Sequence, residues 1–261
     1  MTALPSAVLA ALCFGLGAII ASFVGVLVGR LNTGQGIVFG RSRCDRCGAA
    51  LAARDLVPVA SWLLAGGRAR CCGAWVSALA PISELVLGVL FALAYLSLGA
   101  TLALALFLLA AALLAALVLY DLAHQILPPV LLGAFVFAAA GFAAIAAPSV
   151  AALRLTFLVA FVFALFFAAL WLFSGGRAMG LADSPLVFGL ALLAGRAAIP
   201  GFLFSFWIGA AVGIVLLART PRGSRIGIEV PFAPFLAAGF LLAYFTLWDP
   251  LAITALVLGS P

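Results

Sequence analysis

The sequence predicts an all-α polytopic membrane protein with about eight transmembrane helices and one larger cytoplasmic loop after the first helix. Three observations carry that expectation. Of the 261 residues, 68% are hydrophobic and only 8% charged, with a mean hydropathy of +1.39. A soluble domain is roughly 45–50% apolar and about 25% charged, so this chain is built for lipid as its solvent. The apolar residues fall in a series of runs near spanning length, and the arginines collect in the gaps between them.

Taken in order, the runs cover 7–28, 79–98, 102–120, 130–147, 153–173, 186–199, 201–218 and 232–248. A span needs about 20 apolar residues with wide tolerance, so the sixth is short. The first lacks the charged n-region of a cleaved signal and reads as a retained helix. A break is expected at Pro200–Gly201. The apolar tail 251–259 is too short to cross alone. Three parts follow: 1–30, the first helix; 31–78, a cysteine-containing loop; and 79–261, the remaining transmembrane core. The loop is too small for a robust core of its own.

The basic residues orient the set. All thirteen are arginine. Arg30, Arg41, Arg43, Arg46, Arg54, Arg68 and Arg70 lie at or within the first loop, Arg177 between the fifth and sixth runs, and Arg219, Arg222 and Arg225 before the eighth. With eight helices these three loops share one side, which the positive-inside rule makes cytoplasmic. Arg154 and Arg196 fall near the other face, where each can snorkel. The net charge of +6 therefore reports topology. No nucleic-acid motif stands behind it, and nucleic acid is excluded as a partner.

There are only seven acidic residues. Asp45 and Asp55 read as solvated loop charges, and Asp249 follows Trp248 at the outer interface. Glu229 just precedes the eighth helix, and Glu84 lies in the start of the second. Asp121, in LVLYDLAHQILPP, and Asp183, in GGRAMGLADSPL, sit where long apolar helices meet short cytoplasmic segments. Carboxylates at such depth are costly and mark functional sites, although Asp183 also suits an N-cap. Two carboxylates sharing a site hold one proton between them. The ionised member takes a proton from water and the protonated one donates to a carbonyl oxygen, which is peptide hydrolysis by general acid–base chemistry. His124, the one histidine, has no visible catalytic partner and reads as a helix-end residue. The small residues Gly180 and Ala182 leave room for a peptide beside Asp183, and Glu84 is assigned with them to substrate binding.

Cys44 and Cys47 form a C-x-x-C turn, and Cys71 and Cys72 are adjacent. Two C-x-x-C turns would signal tetrahedral zinc. An adjacent pair is weaker, because neighbouring side chains on an extended strand point apart. Structural zinc on Cys44, Cys47, Cys71 and Cys72, and four thiols without metal, both remain open. A disulfide does not suit a reducing cytoplasm. Cys13 lies in the first helix and reads as packing.

At these residues the chain resembles the type IV prepilin peptidase family, intramembrane aspartic proteases of the GxGD type. The resemblance runs through SFVGVLVGRL from Ser22, through DLVPVASWLLAGGRARCCGAWVSALAPISELVLGVLF from Asp55, through Asp121 with its Leu127–Pro128, through Gly180–Asp183, and through PFAPFLAAG from Pro231. It implies that Asp121 and Asp183 are the catalytic pair of a leader peptidase. Its partners would be prepilin or pseudopilin precursors and membrane lipid, its location the bacterial inner membrane, and its active site would face the cytoplasm. It also implies S-adenosylmethionine as a cofactor if N-methylation of the new N-terminus is retained. The chain departs from the family pattern at Gly25 (usually Asn), Pro129 (often Asp), Ala182 (usually Gly) and Pro185 (usually Lys). Aligned on the Cys–Gly step, Cys72 matches a ligand and Ala69 occupies the other ligand position. The readings from other classes are a non-catalytic family member and a small proton- or ion-coupled transporter using the same two aspartates.

Overall fold

The computed structural model describes residues 5–31, 33, 36, 42–44, 46–177, 179–219 and 230–252. Arg41, Arg222, Arg225, Asp45, Glu229 and the apolar tail from residue 253 lie outside the described residues. The chain is an all-helical polytopic membrane protein. Its helices are α1 (Ser6–Arg30), α2 (Ala60–Leu64), α3 (Leu79–Leu98), α4 (Leu102–His124), α5 (Pro129–Ala146), α6 (Val150–Ser174), α7 (Asp183–Ala194), α8 (Ala198–Arg219) and α9 (Ala233–Thr246). Among the described residues the only β pairing is two isolated bridges, Arg43–Ala50 and Arg68–Trp75. All eight expected runs are helical. By length and composition, six segments can cross a membrane: α1, α3, α4, α5, α6 and the continuous apolar stretch Asp183–Arg219; α9 is shorter.

The chain divides into two compact units, Met1–Leu104 and Ala105–Pro261. In the first, α1 packs along α3 through glycines that let the backbones touch. A Cβ on Gly17 would lie 2.6 Å from the Leu87 carbonyl oxygen, and one on Gly88 would lie 2.9 Å from the Phe14 ring. Close packing of this kind replaces the hydrophobic effect, which cannot drive helices together in lipid. Among the described residues of the loop between the two helices, the helical elements are α2 and a 3₁₀ turn at Ala53–Asp55.

The second unit is organised around α7, which packs against α5, α6 and α9. Leu186, Val187, Leu190 and Ala191 are fully enclosed. The Ser184 hydroxyl donates to the Ala164 carbonyl of α6 (2.7 Å). α8 and α9 are antiparallel, since Gly201 meets Phe240, Ser205 meets Gly239, and Gly209 meets Phe232. The far end of α7 (Leu190, Leu193) shares a small cavity with Phe240 and Tyr244, so α7 runs parallel to α9. The stretch Asp183–Arg219 therefore reverses direction, and it does so at the 3₁₀ turn Gly195–Ala197. Gly195 ends α7 with φ +56°, a conformation glycine adopts without penalty.

That corrects the expected break at Pro200–Gly201. Pro200 lies in the first turn of α8, where its missing N–H has no intrahelical partner to lose. Gly201 is small because Phe240 of α9 crosses there, 2.9 Å from where its Cβ would be.

The α1–α3 contact generates a test. Gly17→Val should destabilise the first unit by about 1–3 kcal/mol, the usual cost of overpacking, whereas Gly15→Ala, whose Cβ would meet nothing within 4 Å, should not. Thermal unfolding in detergent measures both. Equal melting temperatures for the two variants would remove the close-packing account.

Candidate active site and thiol cluster

Asp121 lies in the last turn of α4 and is buried, at 7% exposure. Its Oδ2 accepts a hydrogen bond from the backbone N–H of Ala233 (3.2 Å). Ala233 is the first residue of α9, whose preceding residue, Phe232, offers no side-chain cap. The first four N–H groups of a helix have no internal partner, so Asp121 caps a helix remote from it in sequence. The segment Pro231–Pro234 thereby acquires a role that the sequence did not disclose. Nothing in its composition names Ala233 as a carboxylate partner.

Asp183 is half-buried and opens α7. The Gly180 backbone N–H donates to its carboxylate, and an atom added at Gly180 as Cβ would touch Asp183 Oδ2 at 3.5 Å. The charge of Asp121 acts on Asp183, so these two carboxylates, about sixty residues apart in sequence, lie within electrostatic range of one another. Each also faces a helix N-terminus, the positive end of the helix dipole. Two interacting carboxylates can divide acid and base roles across one water.

His124 is exposed and lies against Tyr120, ring centroids 4.4 Å apart and planes tilted by 43°. The chain leaves α4 through Gln125 at φ +55° and enters α5 at Pro129, with Leu127 and Pro128 buried between them.

Glu84 belongs to the first unit. It is buried, and its Oε2 accepts the Val59 N–H at 2.7 Å. Val59 has φ +59°, a strained conformation for a β-branched residue. Glu84 thus pins a strained turn of the loop to the start of α3. Asp55 also has partners, unlike the free loop charge expected. It accepts from the Ala52 N–H (3.1 Å) and pairs with Arg70 (3.3 Å), because the second half of the loop folds back across the first.

The cysteines lie on two knuckles of the same design. In the first, Cys44 N–H donates to Ala49 and Gly48 N–H to Cys44. In the second, Ala69 N–H donates to Ala74 and Gly73 N–H to Ala69. Gly48 and Gly73 both have φ +70°. Cys72 therefore matches Cys47, and Ala69 matches Cys44. The adjacent pair was expected to diverge, as on an extended chain, but here it sits on a tight turn. All four sulfurs lie within 4.8 Å of one another, with Cys44–Cys72 at 3.8 Å and Cys47–Cys71 at 3.4 Å. A tetrahedral zinc with Zn–S near 2.3 Å places its sulfurs about 3.8 Å apart, so the cluster fits a metal such as zinc. Backbone N–H groups of Cys47 and Arg46 facing Cys44 lower its thiol to about 7. Cys71 is pushed up to about 12 by hydrogen bonds with Cys47 and Cys44.

The comparisons with known proteins agree with one another. A family profile described as "Bacterial Peptidase A24 N-terminal domain" matches residues 16–98. The chain is 36% identical over 219 residues to a "Prepilin leader peptidase/N-methyltransferase" of Myxococcus xanthus, covering 80% of this chain but 63% of that protein's length. A protein of that name from Bacillus subtilis is 31% identical over 88% of this chain and 92% of its own. One from Burkholderia pseudomallei is 34% identical over 91% and 85%. No solved structure matches the chain.

The lowered Cys44 thiol sets an order of reactivity. A lowered pKa populates the thiolate above about 7, and the thiolate is the nucleophile. In metal-free protein, alkylation of Cys44 should rise as pH passes about 7, with Cys71 modified last. Peptide mass spectrometry after brief iodoacetamide treatment reads the order. Cys71 reacting first would contradict it.

Proposed function

The chain belongs to the prepilin leader peptidase/N-methyltransferase family, and on that premise we propose that it is a membrane aspartic endopeptidase. It removes leader peptides from prepilin or pseudopilin precursors. The observation that supports this reading is that Asp121 and Asp183 lie at two helix N-termini of the second unit, within electrostatic range of one another. In this mechanism one carboxylate holds a proton and the other does not. The ionised member activates water and the protonated one donates to the scissile carbonyl, with no covalent intermediate. The Ala233 and Gly180 N–H groups fix the two carboxylates in place. Gly180 and Ala182 form the wall along which the extended peptide lies.

The arginines of the first loop, with Arg177 and Arg219, support a cytoplasmic site in the inner membrane. The ends of α4 and α6 and the starts of α5, α7 and α9 then lie on that side. The four cysteines hold a structural zinc that ties the two knuckles of the loop together and supplies no chemistry to peptide cleavage. N-methylation of the released N-terminus is the second activity, with S-adenosylmethionine as methyl donor.

Asp121→Asn and Asp183→Asn should each lower leader cleavage at least a hundredfold, since a positioned acid or base contributes about 10²–10⁴. Asn keeps an oxygen for the Ala233 or Gly180 N–H, so both variants should remain folded in the membrane. Near-native cleavage of a prepilin by either variant would end the paired-acid mechanism.

The thiol cluster makes a separate prediction. Cys71→Ala should lower the zinc content of purified protein, and adding Ala69→Cys should restore it, because residue 69 holds the position on the second knuckle that Cys44 holds on the first. Elemental analysis decides. Full zinc in Cys71→Ala would show that Cys71 is not a ligand.

A further inference from the structure

The loop of the first unit has an inner and an outer side. The inner side encloses a cavity of about 520 Å³ against α1 and the start of α3. Gly25 and Gly29 of α1 line it, and a Cβ on either would meet nothing within 4 Å. Trp62 of α2 turns into that wall, held by its Nε1–H donating to the Val76 carbonyl (3.1 Å). The next two residues of α2, Leu63 and Leu64, are on the outer side, 63% and 79% exposed. Trp75 is 73% exposed, and the Arg68 guanidinium lies over its ring, 4.2 Å from the centroid. Gly67 joins these residues to α2: a Cβ there would lie 3.1 Å from the Trp62 ring, and its carbonyl accepts the Val76 N–H (2.9 Å). Large apolar side chains gathered on an exposed face mark a contact surface.

The two knuckles show that the turn itself does not call for this tryptophan. The bridge of the first joins Arg43 to Ala50, and that of the second joins Arg68 to Trp75. Each arginine reaches the glycine of its own turn in the same way, Arg43 Nη1 to the Gly48 carbonyl and Arg68 Nη1 to the Gly73 carbonyl, both at 3.4 Å. The turn therefore closes on alanine as well as on tryptophan. What Trp75 adds is an amphipathic ring held under a cation, an arrangement suited to the boundary between hydrocarbon and headgroups. The guanidinium has five N–H donors, so donors remain beyond the Gly73 bond for a phosphate oxygen.

The chain path places this face beside the bilayer. Trp75 stands four residues before Leu79, the first residue of α3, so the two are at most about 14 Å apart. Along α3 the exposed residues Leu79, Ile82, Val86 and Val89 recur at helical spacing and form one apolar stripe, opposite the contacts with α1. That stripe meets lipid, and the Trp75 face continues it past the helix end. Charge points to the kind of lipid: residues 31–78 hold six arginines against two aspartates, and Asp55 is already paired with Arg70. We infer that the outer face of the loop docks on an anionic lipid surface, with Leu63, Leu64 and the Trp75 ring entering the headgroup layer and Arg68 bonding lipid phosphate. A segment too small for its own core is thereby also held from the membrane side.

Tryptophan fluorescence of the full chain, reconstituted in vesicles whose acyl chains are brominated near the headgroup, tests it. The vesicles are phosphatidylcholine alone or phosphatidylcholine with phosphatidylglycerol, and the share of Trp75 is the difference between wild type and Trp75→Phe. In the anionic vesicles that share should be quenched by the bromolipid and shielded from acrylamide added to the water. It should be quenched less in phosphatidylcholine alone. Arg68→Gln should cut the bromolipid quenching in anionic vesicles by about half, because each arginine at an anionic surface supplies a sizeable part of the attraction. Leu64→Ser, at an exposed position that leaves the fold alone, should lower it as well while keeping every tryptophan in place. Quenching of Trp75 by acrylamide but not by bromolipid would overturn the proposal. So would equal bromolipid quenching in the two kinds of vesicle, or protection from both quenchers, the outcome expected if a second protein covered the face. Leader cleavage is a separate readout, and the peptidase reading stands or falls without this one.

Discussion

A carboxylate at the buried end of a membrane helix needs donors, and in this chain the donor for Asp121 is the first N–H of another helix. The bond from Ala233 to Asp121 meets two demands together. In lipid, every backbone polar group must find a partner within the protein, and α9 begins without a side-chain cap. Asp121 also requires stabilisation at 7% exposure. The bond fixes the end of α4 against the start of α9. Because α7 runs parallel to α9 and opens with Asp183, it brings the second carboxylate to the same end of the unit. The nearness of the two aspartates is thus a consequence of which helix termini the bundle gathers at one place.

The same geometry bears on whether the chain's departures from its family pattern damage the site. Ala182 stands where Gly is usual, yet its φ −67°, ψ −18° is ordinary right-handed backbone that Ala adopts freely. Pro185 falls in the first turn of α7, and Pro129 opens α5. At both places a missing N–H breaks no helical bond. These three changes are accommodated by the backbone, and both acids remain. On these grounds the departures do not favour a degenerate relative.

Much of the fold was legible because its signal is one-dimensional. Runs of apolar residues give helices in lipid almost regardless of context, and the expected 79–98 run is α3 to the residue. The error at Pro200 arose from treating proline and glycine as punctuation. The reversal is set instead by Gly195, whose neighbours Ala194 and Arg196 give no warning. At the site, Asp121 and Asp183 were visible as rare charges in an apolar chain. Ala233 was not, since its contribution is a backbone N–H that every residue except proline owns. Asp55 was misread for a related reason. Its partner Arg70 is fifteen residues away, and only the fold of the loop brings them together.

The loop between α1 and α3 shows how a segment too small for a core is specified by polar links. Residue 69 is alanine, yet the second knuckle has the backbone pattern of the first: the same two hydrogen bonds, the same glycine at φ +70° and the same bridge. The turn, therefore, does not depend on a cysteine at its first position. Because the turn is tight, the side chain of residue 71 also faces the cluster, so a thiol there completes a set of four sulfurs. The remaining links run from Glu84 to Val59, from Arg70 to Asp55 and from Trp62 to Val76. They hold the two halves of the loop to one another and to α3. A loop held by discrete links at its edges, rather than by a packed apolar centre, can keep an open space against α1, and the bare glycines of α1 are where that space lies.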